Sequence, residues 1–195
     1  MNFDFQVSSH FSEHQNVTIS TLSKCKNDIL EVSQLLVKTL TSNNTVFWCG
    51  NGGSASDSQH LSAELIGRFI NDRPPFRSIS LNTDTSAITC ISNDYCYDNV
   101  FARQVQGLGK KNDLLVCIST SGNSTNLINA TKIARKLNLK TVGLLGKHGG
   151  ALKHITDSCI IVPSSTTARI QEMHILIGHI LCDLVEKNLV LPDQP

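Results

Sequence analysis

The polarity pattern of the chain changes character near residue 42. Before that point, Leu22, Cys25, Ile29, Val32 and Leu36 recur at spacings of 3-4-3-4 and form a narrow apolar stripe. The stripe predicts one long helix over about residues 8–42. It covers only two heptads, short of the roughly 3–4 that mark a coiled coil. It still gives the helix an apolar face that this chain or a second copy must cover.

Beyond residue 42, short apolar runs at 46–49, 78–81, 114–118, 141–145 and 159–162 are separated by helical patterns at 54–70, 124–138 and 168–187. Continuous apolar strands alternating with helices predict an α/β fold, a parallel sheet covered on both faces. Such sheets bind ligands in the crevice at the carboxyl ends of their strands. The loops after Cys49 and Ile118 are therefore the places to look for chemistry. The chain has no internal repeat and no low-complexity segment.

Composition narrows the class. At 195 residues, 40% hydrophobic and 17% charged, the chain has the size and core of one domain, or one domain plus an appendage. A net charge of +1 without a basic block argues against nucleic acid or an anionic membrane as partner. No apolar run approaches the ~18 residues of a transmembrane helix. The start, MNFDFQVSSH, lacks the basic and apolar regions of a signal peptide. Seven cysteines at irregular spacing, with no C-x-x-C, read as free thiols in a reduced, cytoplasmic setting.

The first loop, GNGGSASDSQHLSAE (residues 50–64), admits three readings. Gly50-x-Gly52-x-x-Ala55 after a strand fits a dinucleotide fingerprint, which expects an acidic residue about 20 positions on. The acid ending the second strand is Asp84, well beyond that distance. A plain strand-to-helix turn, with Ser54 as N-cap, accounts for the glycines but not for the polar helix behind them. The third reading is a metal site. His60 and Glu64 are i and i+4 and share a helix face.

The second loop, Ser119-Thr120-Ser121-Gly122-Asn123-Ser124, places four hydroxyls at the end of a strand and the start of a helix. Backbone N–H groups and the positive helix end favour a phosphate there. The alternative is a serine-rich cap turn. With no G-K-[ST], triphosphate hydrolysis is not implied. In the last helix, Gln171 and His179 are about 80° apart around the axis and ~12 Å apart along it. That is near the limit for two ligands of one ion, and a histidine in an apolar stretch is equally a core group.

Taken together, GNGGSASDSQHLSAELIGRF, ISNDY, ISTSGNS and TARIQEMHILIGHILCDL resemble, in the same order and over nearly the whole chain, the bacterial phosphoheptose isomerases of the sugar-isomerase (SIS) domain family. The resemblance implies a three-layer αβα sandwich with a five-stranded parallel sheet (residues 43–195) plus a long N-terminal oligomerisation helix (residues 1–42), assembled as a homotetramer. It implies conversion of sedoheptulose 7-phosphate to D-glycero-D-manno-heptose 7-phosphate for lipopolysaccharide heptose. Carried over by motif, one zinc per subunit would be held by His60, Glu64, Gln171 and His179. Asn51, Gly52, Gly53, Asn93 and Asp94 would contact substrate, as would Glu64 and Gln171. Ser119, Thr120, Ser121 and Ser124 would hold its phosphate. Some members carry an aspartate where this chain has Ala168.

A non-catalytic competitor exists in the replication-initiator-associating proteins of the same family, which lack the glutamate and the last-helix histidine that Glu64 and His179 supply here. For the isomerase, an enediol route needs a base at carbon and an acid or electrophile at oxygen. Glu64 is the expected base, with His179 shuttling protons from the opposite side.

Overall fold

The computed structural model describes residues 3–189, so residues 1–2 and 190–195, the outer ends of the two expected domains, lie outside it. Five parallel strands form the sheet: β1 (Val46–Gly50), β2 (Ser78–Ser80), β3 (Leu114–Ser119), β4 (Lys140–Gly146) and β5 (Ser158–Val162). Their order is β2-β1-β3-β4-β5. Successive connections run in opposite directions from β1 and β3, which makes the gap between them the topological switch point. Gly50 pairs with Ile118 across it, so the glycine and serine loops leave the sheet side by side.

Among the described residues, six α-helices accompany the sheet: α1 (Phe3–Thr41), α2 (Gly53–Ile66), α3 (Thr85–Asp94), α4 (Val100–Leu108), α5 (Thr125–Lys136) and α6 (Thr167–Leu189). Because strand side chains alternate, β1, β3, β4 and β5 each feed two cores. Trp48, Val116 and Leu144 meet α1, α2 and α6 on one face. Phe47, Leu115 and Leu145 meet α4 and α5 on the other. The expected αβα layering is thus present, with the long first helix built into the first layer.

Several expectations need correction. Cys25, Ile29, Val32 and Leu36 are buried as the stripe predicted, but Leu22 is 65% exposed. Its neighbours Thr21 and Cys25 are buried, so Leu22 lies off the covered face of α1. The second helix stops at Ile66, not 70, because the chain breaks at Gly67 and Arg73 takes the last carbonyls of the helix. Ser54 is not its N-cap. Gly52 occupies that position with φ 56°, and no side chain caps the helix. α3 and α4 had no counterpart in the sequence pattern. They carry the chain from the edge strand β2 across β1 to β3.

Candidate active site

Each of the two switch-point loops is built around a short polar network. Asn82, just after β2, grips Gly50 from both sides: its Oδ1 accepts the Gly50 N–H at 3.2 Å and its Nδ2 donates to the Gly50 carbonyl at 2.9 Å. Asn51 exchanges amide hydrogen bonds with Asn126 of α5 at 3.0 and 2.9 Å, and Tyr97 donates to Asn51 Oδ1 at 2.9 Å. These bonds tie the glycine loop to the helix that follows the serine loop. Asp84 accepts the Ala87 N–H at 2.9 Å and caps α3. It is thus committed to a structural role, and the dinucleotide reading loses its ribose partner.

In the second loop the Ser119 and Ser124 hydroxyls are 3.5 Å apart. Ser119 Oγ accepts the Gly122 N–H at 3.0 Å, and Ser121 Oγ accepts the Asn123 N–H at 3.2 Å. Ser124 stands at the N-cap of α5 without a side-chain cap bond. Its hydroxyl stands beside the positive end of that helix. Thr120 is half-buried next to Ser119. Asn93 and Asp94 lie exposed at the end of α3, where Asn93 Nδ2 donates to Asp94 Oδ1 at 2.9 Å.

Two turns down α2, the helix meets α6. His60 Nε2 lies 2.9 Å from His179 Nε2 and 3.3 Å from Glu64 Oε1. Ligand atoms of all three residues fall within 4.8 Å of one another. The meeting depends on a close helix approach at Gly178, where a Cβ would come 2.5 Å from the buried Leu61. A second close approach brings Gln171 to the start of α2. Its Nε2 occupies the space a Gly53 side chain would fill, 2.6 Å from the ideal Cβ position. Gln171 thus lies against the glycine loop, seven residues before His60, or about 10 Å along the helix.

Two imidazole nitrogens facing each other with a carboxylate alongside are a poor arrangement for hydrogen bonding alone. Only one proton can lie between the two nitrogens. The same donor set, two histidines and one carboxylate on a converging front, is one that suits a divalent ion such as zinc. His60, Glu64 and His179 are thus fit to hold a metal. Asp57, one turn before His60, was not singled out by its sequence context. Burial pushes its carboxyl up, partly offset by His60.

Comparison with known proteins places the chain in a family. The SIS domain family matches residues 10–146. A phosphoheptose isomerase of Aliarcobacter butzleri is 48% identical over 94% of this chain and 97% of its own length. One from Helicobacter pylori is 48% identical over 95% and 96%. The chain belongs to the phosphoheptose isomerase family. Solved structures of phosphoheptose isomerases from Neisseria gonorrhoeae (38% identity, TM-score 0.91, 95% of this chain and 100% of that one) and Francisella tularensis (35%, 0.93, 96% and 100%) share its fold throughout.

Within that family frame, the structure brings His60, Glu64 and His179 together. It places Asn51, Gly52, Gly53 and Gln171 around the glycine loop, and groups Ser119, Thr120, Ser121 and Ser124 in the serine loop. Asn126, Tyr97 and Asn82 were missed. Their signal was weak, because lone amides and a tyrosine acquire meaning only once the loops are adjacent in space.

Proposed function

We infer that the protein is an aldose–ketose isomerase that converts sedoheptulose 7-phosphate to D-glycero-D-manno-heptose 7-phosphate, as the phosphoheptose isomerases it is similar to do. The observation that carries the reading is the convergence of His60, Glu64 and His179 beside two polar loops at the switch point. A non-catalytic scaffold has no use for that convergence.

The remote phosphate is taken by Ser119, Thr120, Ser121 and Ser124 at the N-terminus of α5, and the sugar by the glycine loop, Gln171, Asn93 and Asp94. Isomerisation then needs a proton moved between neighbouring carbons and another between their oxygens. With Glu64 Oε1 turned to His60, Oε2 is the oxygen that takes the carbon-bound proton. His179 exchanges the proton on the substrate oxygen. Their polar atoms lie within 4.8 Å of each other, close enough for both to reach neighbouring atoms of one bound sugar.

One zinc per subunit is the metal this donor set favours, held by His60, Glu64 and His179. Gln171 becomes a fourth ligand only if its amide turns away from Gly53. When bound, zinc polarises the carbonyl and hydroxyl oxygens of the sugar.

Assembly as a homotetramer through the helix of residues 1–42, beside a SIS domain of residues 43–195, is supported by the apolar side chains α1 leaves uncovered. Phe11, Ile19 and Leu22 are each more than 60% exposed. Single apolar residues on a surface are ordinary, but a row of them along one helix marks an interface. The product belongs to heptose supply for lipopolysaccharide, and the enzyme works in the cytoplasm. Incubating zinc-loaded protein with sedoheptulose 7-phosphate and separating ketose from aldose phosphates tests the activity. Recovery of the ketose alone from folded, zinc-loaded protein contradicts it.

A further inference from the structure

One buried ion pair lies outside the groups assigned above. Arg73, in the loop after α2, and Glu186, near the end of α6, have side chains only 1% exposed and meet at 3.1 Å between Nε and Oε2. Besides bonds from Arg73 within its own loop, to the carbonyls of Gly67 and Pro74, the two residues tie that loop to the helices that carry the site. Glu186 accepts the backbone N–H groups of Phe69, Ile70 and Asn71 at 3.1, 2.9 and 2.6 Å, and the Asn71 amide at 2.9 Å. Arg73 donates to the carbonyl of Glu64 itself at 2.8 Å, and to that of Leu65 at 2.9 Å. The guanidinium is seated on the Phe76 ring, 4.0 Å from its centre.

The placement relative to the histidines is specific. Glu186 is seven residues after His179, two turns along the same face of α6. By holding the 69–71 backbone, it sets Phe69 against the His179 ring, with ring centres 5.6 Å apart. Through Arg73 it holds the last turn of α2, where the Glu64 carbonyl accepts from the guanidinium and the Leu65 carbonyl accepts from both the guanidinium and the Phe76 N–H. The pair thus bolts the end of α2 to α6 just beyond the point where His60, Glu64 and His179 converge.

We propose that the Arg73–Glu186 pair is a positioning device for the active site. It fixes the spacing of α2 and α6 and the orientation of His179, and so sets the donor geometry of the His60–Glu64–His179 trio. A buried ion pair is a poor route to stability alone, since apolar residues of similar volume do as well or better in such positions. What apolar residues cannot supply is the set of directed bonds to the Glu64 carbonyl and the 69–71 backbone. The proposal rests on the isomerase reading for its catalytic consequence, but not for its geometry.

The test compares wild type, E186Q, R73K and the double variant R73M/E186M. E186Q leaves the Arg73 charge buried without its partner and is at risk of unfolding, whereas R73K keeps both charges. The double variant removes both charges while keeping volume, and is expected to fold. In metal-free protein, the ring resonances of His60 and His179, read by NMR after histidine labelling, shift in the double variant. Zinc affinity, measured by titrating the metal alone, falls about 10–100-fold, the usual effect of losing a partner that orients a ligand. Turnover falls about tenfold with the Michaelis constant nearly unchanged, as for an interaction needed in the transition state.

Unchanged histidine resonances and zinc affinity in a folded double variant overturn the proposal and reduce the pair to a structural tie. Shifted resonances in a protein whose wild type turns over no sugar phosphate uphold the positioning role and refute the isomerase reading instead. If the double variant does not fold, R73K decides. That variant keeps the charge but loses the forked geometry, and histidine resonances identical to wild type overturn the proposal.

Discussion

Gly178 lies against Leu61 so closely that a methyl group on Gly178 would come within 2.5 Å of the Leu61 side chain. Each is the sequence neighbour of a site histidine, Gly178 of His179 and Leu61 of His60. The contact therefore sets how near the two imidazoles come. Leu61 is fully buried and has nowhere to retreat. G178A should gain a little intrinsic helix propensity but lose more through overpacking, with a net cost of about 1–3 kcal/mol. Thermal unfolding and zinc titration check this. G178A should melt lower and bind zinc more weakly, and L61A/G178A should recover part of the zinc affinity. Wild-type zinc affinity in G178A would show that helix spacing is not set there.

Glu64 and His179 carry the proposed proton transfers. E64Q and H179Q should each lower turnover by at least about 10²-fold, the usual contribution of an acid–base group, with folding retained. Circular dichroism and steady-state kinetics on the same preparations check this. Near-wild-type turnover in either variant removes that residue from the chemistry.

Phosphate contacts are shared by the bound ground state and the transition state. S121A should therefore raise the Michaelis constant more than it lowers turnover. S119A should do the same with some loss of stability, because Ser119 also accepts the Gly122 N–H and shapes the loop. Unchanged Michaelis constants in both would place the phosphate elsewhere.

His174 gives the fold an acid-sensitive element. It is buried in α6 and its Nε2 lies 3.0 Å from the Leu145 carbonyl, which fixes the neutral ring with the proton on that nitrogen. Burial lowers its pKa to about 4, against a smaller raising effect of that bond. The folded value thus lies below the unfolded value of about 6.5, and between the two pH values the unfolded chain binds the extra proton. Stability should be full above about pH 6.5 and fall as pH drops toward 4, by about 3 kcal/mol from this group. Urea unfolding at stepped pH reads the slope, and H174Q should flatten it. An equal slope in H174Q would assign the acid sensitivity to other groups.

The parallel sheet covered on both faces was legible because β1 and β3 are unbroken apolar runs, and a run such as Leu114–Leu115–Val116–Cys117–Ile118 admits burial on both faces only. The strand order was not, because no local pattern fixes which strands pair. The glycine and serine loops followed from where those runs stop. The crossover helices were harder. α3 buries only Ile91 and offers no apolar face to detect, whereas α4 buries Val100, Phe101 and Val105 in a pattern too short to stand out. Leu22 looked like core because helical spacing alone cannot show which edge of an apolar stripe is covered, and here Thr21 is buried in its stead.

At the site, the i, i+4 pair His60 and Glu64 could be read from spacing. The arrival of His179 depended on Gly178, whose role is invisible until α2 and α6 are packed. The bonds between Asn51 and Asn126 and between Arg73 and Glu186 join residues 75 and 113 positions apart, and no local pattern announces such pairs.

The most direct measurement is proton NMR of sedoheptulose 7-phosphate in D₂O with purified protein, first stripped of metal and then restored with zinc. The account predicts a metal-dependent aldoheptose 7-phosphate carrying deuterium at C2, since an enediol exposes that carbon to a solvent-equilibrated base. A folded, zinc-loaded protein that leaves the ketose unchanged would contradict the account.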